Sequence, residues 1–179
     1  VSTQAPQLWY YRYMETTPLN KPFHRACTFV RFNLFHKGHL ALIEEMGRLA
    51  DFVTIGLSDS TKNLPYDLRK EVIKIALADS DIAFSISAAS NPFELFQRVE
   101  QLGNDSVVTV FGDDQFSLGQ AAERHYGWMP ANVRRLTSST ALRAHLDLEE
   151  WDVLSDLTVP GTIPSLINLR KLELTKSHA

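Results

Sequence analysis

The chain has 179 residues, 44% of them hydrophobic, and a formal net charge of −3. That length fits one domain with one sizeable core, and the charge excludes a general basic field for gripping nucleic acid. The single cysteine, Cys27, excludes an intrachain disulfide and a cysteine-based metal cluster, and its apolar run marks it as a buried strand residue.

No apolar run reaches the length of a membrane span, and no basic segment followed by an apolar run opens the chain. The expected setting is the cytoplasm, with small molecules as ligands, no membrane or nucleic-acid partner, and self-association left open. Residues 1–25 read as an N-terminal extension with Pro6, Pro18, Pro22 and the cluster Trp9–Tyr10–Tyr11–Arg12–Tyr13. Such aromatics strap a terminus onto a domain or a second subunit, or stack on a base. Residues 26–179 read as the domain itself, including a C-terminal helical tail.

Strand and helix patterns alternate from residue 26 onward. Cys27–Phe32 is a short apolar strand, and Lys37–Leu49 carries Leu40, Ile43 and Met46 at helical spacing. Phe52–Leu57 is a second strand and Asp67–Ala78 a second helix with Val72, Ile73 and Ala76 inward. After a third strand, Ile82–Ser87, Asn91 caps a helix with Pro92 at its first position that runs to Leu102. Val107–Phe111 is the strongest strand, Gln115–Tyr126 a helix, and Val133–Leu136 a short fifth strand. Thr140–Leu146 starts a helix behind Ser138 and Ser139, and Pro164–Leu174 is helical in the tail. The alternation predicts an α/β fold: a Rossmann-like parallel sheet of about five strands with helices on both faces. Ligands of such sheets bind at the carboxyl ends of the strands, which puts the loops 31–39, 58–66, 112–116 and 137–140 on one rim.

Two motifs at predicted helix starts carry chemistry. The first runs Arg31–Phe32–Asn33–Leu34–Phe35–His36–Lys37–Gly38–His39. Free N–H groups at a helix start bind anions, and His36 and His39 share one side of the first turn. Gly38 leaves room for a phosphate or a base to approach. The second runs Thr137–Ser138–Ser139–Thr140–Ala141–Leu142–Arg143. Its hydroxyls cap a helix or donate to phosphate, and the Arg143 fork matches a phosphate edge. Each motif alone has a plainer reading: a metal held by two histidines with Asp113 or Asp114 as third ligand, or a simple cap. Their pairing on one rim favours a polyphosphate.

At these residues the sequence resembles the HxGH superfamily of nucleotidylyltransferases, with a His-x-Gly-His motif after the first strand and a Ser-Ser-Thr-x-x-Arg motif late in the domain. The first motif is similar to that of archaeal-type nicotinamide mononucleotide (NMN) adenylyltransferases, and Glu150–Trp151 with Val159–Pro160 is similar to a Trp…Val-Pro element of that group. The resemblance covers residues 26–160. It implies an adenylyltransferase that joins ATP, carried with Mg²⁺, to a phosphorylated acceptor and releases pyrophosphate. NMN is the first acceptor, which would make NAD. Phosphopantetheine with ATP, or an alcohol phosphate with CTP, are the alternatives. A reading of another class is a nucleotide-binding module that has lost catalysis.

The resemblance also implies roles. His36, His39 and Arg143 are the catalytic contacts to the triphosphate. Arg31, Phe32, Asn33, Lys37, Gly38, Ser138, Ser139 and Thr140 complete the nucleotide site. Asp113, Asp114 and Trp128 are acceptor-side candidates, and no protein metal ligand is implied because Mg²⁺ arrives on the triphosphate. Three features depart from the family pattern. Val30 replaces a glycine, Asn33–Leu34 replaces Gln-Pro, and the loop Ser58–Tyr66 is short.

Overall fold

A computed structural model describes residues 21–103, 106–134 and 137–177. Its centre is β1 (Phe23–Val30), flanked by β2 (Ala50–Ser58) and β4 (Val107–Gly112). With β3 (Phe84–Ala89) and β5 (Met129–Val133) at the edges, the five strands run parallel in the order β3-β2-β1-β4-β5. Parallel strands need crossover segments, and helices supply them: α1 (Lys37–Leu49), α2 (Tyr66–Ala76), α3 (Pro92–Gln101) and α4 (Phe116–Tyr126, after a 3₁₀ turn at Asp113–Gln115). Three more follow the sheet: α5 (Ser139–Asp147), α6 (Trp151–Leu157) and α7 (Ile163–Ser177).

The strand period of two divides the core between the sheet's faces. Ala26 in β1 and Val108 and Val110 in β4 pack with Ile43 and Met46 of α1, Val72 of α2, Leu142 of α5 and Leu166 of α7. Cys27, Val107 and Phe111 point the other way, onto Leu95, Phe96 and Val99 of α3 and Ala122 of α4. Burial pushes the Cys27 thiol up to about 12, so it stays protonated and serves as a small apolar filler. The strand order reverses between β1 and β4, which places the switch point at their carboxyl ends, beside the start of α1.

The alternating fold predicted from the sequence is the fold observed, with shifted boundaries. β1 begins at Phe23, so residues 23–25 belong to the sheet although His24 and Arg25 are polar. The Arg25 guanidinium donates to Thr54 Oγ1 at 2.7 Å and lies over the Phe52 ring. The same strand ends at Val30 rather than Phe32, because Phe32 takes a left-handed φ of 46°. The fifth strand is Met129–Val133, not Val133–Leu136, and Leu136 lies outside the described residues. Pro130 argues against a strand there, yet β5 is an edge strand that pairs only with β4, where a missing N–H is tolerated. The α6 helix, around Trp151, carries no strong periodic signal and is seen only in the structure. The aromatic cluster at residues 9–13 lies outside the described residues. Among those described, no helix is long and apolar enough to cross a membrane.

Candidate functional site

The chain leaves β1 through a turn held by a buried arginine. Arg69 of α2 is 1% exposed and donates to three backbone carbonyls, each at 2.7 Å: Leu64 through Nε, Arg31 through Nη1 and Ser58 through Nη2. Burial draws its guanidinium below the usual range, and three oxygen acceptors satisfy it. Holding the Arg31 carbonyl fixes the entry to the left-handed Phe32 and aims the following residues at the switch point.

His36 is the N-cap of α1. Its Nδ1 accepts the Gly38 N–H at 3.0 Å, while His39 Nδ1 accepts the His36 N–H at 3.3 Å. The histidines thus perform the reciprocal capping usually done by Ser or Thr with Glu or Gln. A neutral imidazole that accepts at Nδ1 carries its proton on Nε2. The rings stack at 3.7 Å between centroids and 18° between planes, and Phe32 packs on His39 at 4.3 Å. The glycine between them is required by space. A Cβ on Gly38 would sit 2.9 Å from His36 Cε1 and 3.0 Å from its Nδ1. Gly38→Ala is therefore expected to push the His36 ring off its cap, with a stability loss of about 1 kcal/mol that thermal melting checks.

The facing rim is the start of α5. Ser138 is the N-cap, and its Oγ accepts the Ala141 N–H at 3.2 Å. Arg143 lies one turn further on. Glu173 of α7 grips it from behind, accepting from Nε at 2.7 Å and from Nη2 at 2.8 Å. Arg170 also donates to Glu173 through Nη1, and pairs with Asp147 at the end of α5 through Nε and Nη2 at 2.8 and 2.7 Å. Burial raises the Glu173 carboxyl, but hydrogen bonds from Arg143 and Arg170 outweigh it and hold the group below the usual carboxylate range.

Between these rims lies a cleft of about 330 Å³. Of the residues expected to form the site, Arg31, Phe32, Asn33, His36, Gly38 and His39 line it from the first motif. Ser138, Ser139 and Arg143 line it from the second, and Asp114 from the end of β4. The structure leaves four of the candidates outside. Lys37 and Thr140 are exposed on the outer sides of their helix starts and do not line the cleft. Asp113 turns outward, where its carboxylate accepts from Asn132 Nδ2 at 2.7 Å. Trp128 is buried in the core on the α3–α4 face, stacked on Tyr126 at 4.5 Å and edge-on to Phe96. It fills space between helix and sheet instead of lining the cleft.

Sequence reasoning missed Arg134 and Gln115, which line the cleft beyond β5 and β4. Nor do residues 59–65 line it. They brace it: Asn33 Oδ1 accepts the Leu64 N–H at 3.0 Å and Asn33 Nδ2 donates to Asn63 Oδ1 at 3.3 Å. Among the described lining residues, Arg31, Arg134 and Arg143 face a single carboxylate, Asp114. An acidic chain has thus built a locally cationic cleft with two helix N-termini at its rim, the electrostatics of a polyphosphate site.

The Cytidylyltransferase-like family profile matches residues 28–145, which span both motifs. The chain belongs to this family and is a nucleotidyltransferase. Solved structures share its fold. A Vibrio parahaemolyticus protein proposed to be a nicotinate-nucleotide adenylyltransferase superposes with a TM-score of 0.65 at 22% identity, covering 83% of this chain and 95% of its own. The Plasmodium falciparum nicotinic acid mononucleotide adenylyltransferase complexed with APC gives 0.62 at 12% identity over 83% of this chain and 98% of its own. A Francisella tularensis bifunctional NMN adenylyltransferase/ADP ribose pyrophosphatase, complexed with AMP and a manganese ion, gives 0.52 at 20% identity over 65% of this chain and 38% of its own. No curated protein matches the chain.

Proposed function

We propose that this nucleotidyltransferase transfers AMP from ATP to the phosphate of a pyridine mononucleotide, NMN first, and releases pyrophosphate. The observation that carries the reading is the convergence of two capped helix starts, the stacked His36–His39 pair and Arg143 on one cationic cleft. An acceptor phosphate oxygen bonds to the α-phosphorus as the bond from that phosphorus to the bridging oxygen breaks. The negative charge that gathers on the departing pyrophosphate is met by the Nε2–H groups of His36 and His39 and by the Arg143 guanidinium. Ser138, Ser139 and the N–H groups at the start of α5 hold the terminal phosphates. Such donors speed the step by position and charge, without a covalent intermediate.

The three arginines suit a triphosphate, and Asp114 is the sole carboxylate among the described lining residues, so a divalent cation enters on the nucleotide rather than in a protein cage. Asp114 would be its protein contact. A bound Mg²⁺ would neutralise phosphate charge. The pyridine acceptor is supported by the Arg31–His39 motif form and by the likeness to mononucleotide adenylyltransferases of the same fold. With Trp128 in the core, the acceptor ring must rest on other groups.

The test is pyrophosphate release with Mg²⁺ and ATP or CTP across NMN, nicotinate mononucleotide, phosphopantetheine, glycerol phosphate and phosphocholine. Release with ATP and a pyridine mononucleotide is expected. Release only with CTP and an alcohol phosphate would replace this reading, and nucleotide binding with no release would make the chain a binding module.

A further inference from the structure

We infer that Glu173, on the last helix, is a positioning residue that aims Arg143 at the triphosphate; this rests on the cleft being a nucleotide site. Arg143 is a long, mobile side chain, and ordering it only when ligand arrives would cost rotamer entropy. The structure shows it ordered already. The Glu173 carboxylate takes Nε and Nη2, one straight edge of the guanidinium, at 2.7 and 2.8 Å. A guanidinium has five N–H donors in a fixed plane. Two are used here, and the Nη1–Nη2 edge remains outside this pair. That second edge is a parallel fork of the kind that fits a phosphate. Arg143 lines the cleft and Glu173 is not among its lining residues, so the carboxylate holds the arginine from outside the ligand space.

Glu173 is itself held. Arg170 donates to it from one helical turn away, and Arg170 is locked to Asp147, the last residue of α5. Arg143, Glu173, Arg170 and Asp147 form an alternating row of charges that fastens the tail helix to the helix that caps the phosphate site. The Glu173 and Arg170 side chains are only 19% and 17% exposed, which limits screening by water.

The opposite sign of effect is what a competing, autoinhibitory pair would give: losing Glu173 would free Arg143 and tighten nucleotide. The experiment is equilibrium titration of the full chain with Mg-ATP and Mg-CTP, for wild type, Glu173→Gln, Arg143→Ala and the double variant, with thermal melting alongside. Glu173→Gln is expected to weaken nucleotide binding about tenfold, yet to add less than about twofold once Arg143 is already alanine. That non-additivity is a readout that a merely structural helix contact would not produce. Glu173→Asp, which keeps the charge but shortens the reach, should fall between wild type and Glu173→Gln, and it carries the test if the glutamine variant fails to fold. Binding unchanged or tightened by Glu173→Gln, or an equal loss in both backgrounds, overturns the positioning role alone, provided that Arg143→Ala weakens binding. Wild type that binds neither nucleotide overturns the site reading and this inference with it.

Discussion

His39→Ala is expected to lower kcat by about 10²–10³-fold, the usual loss when one preorganised donor to developing charge is removed. The nucleotide KM should change less, because in the proposed reaction the His39 Nε2–H would meet most of its charge as pyrophosphate departs. The substitution also has a structural effect. His39 Nδ1 accepts the His36 N–H, and its ring lies between Phe32 and His36. Losing that cap should cost about 1 kcal/mol, or about 2–4 °C of melting temperature. The two effects separate in His39→Gln, since a glutamine three residues after the cap can take over the acceptor role. Melting should then recover towards wild type while turnover stays low. An unchanged kcat in His39→Ala would remove His39 from the chemistry and leave it as a helix cap.

Arg69→Met is the substitution expected to harm stability most. It leaves the carbonyls of Arg31, Ser58 and Leu64 without their donor in a place that water reaches poorly. Removing one partner from a buried charged network costs about 3–5 kcal/mol, and a loss of that size is expected here. Nucleotide binding should weaken as well, because the Arg31 carbonyl anchors the turn that sets Phe32 and the histidine pair. Arg69→Lys should rescue little, since one ammonium cannot replace a planar fork that reaches three carbonyls. Chemical denaturation reads the stability and titration with Mg-ATP reads the site. A variant as stable as wild type would mean that those carbonyls find other donors.

What the sequence made legible was local. The helix starts at Lys37 and Ser139 announce themselves through caps within three residues, so both motifs and their shared rim could be placed from composition and spacing. The parallel sheet followed from the alternation of short apolar runs with helical periods. What stayed hidden depends on distant partners. Arg69 reads as a solvated helix residue until its contact with Arg31, 38 positions away, is seen. Glu173 reads as tail until it meets Arg143, 30 positions away. Arg134 has no motif, and its place at the cleft comes from the register of β5, which Pro130 obscured. Trp128 counted as an acceptor-side candidate because an indole suits a binding platform as well as a core. The end of α4 at the left-handed Gly127 and the start of β5 send it into the core.

The struts around the cleft bear on the kinetics of ligand entry. Arg69 holds the loops after β1 and β2 together, Asn33 ties the first motif to Leu64 and Asn63, and Lys176 of α7 donates to the carbonyls of Thr61 and Asn63. The loops after β1 and β2, which border the proposed nucleotide site, are thereby held in place when the chain folds, not when the ligand arrives. Association should then proceed in one fast phase whose rate rises linearly with nucleotide concentration and falls with salt, as diffusion into a charged, ready-made cleft does.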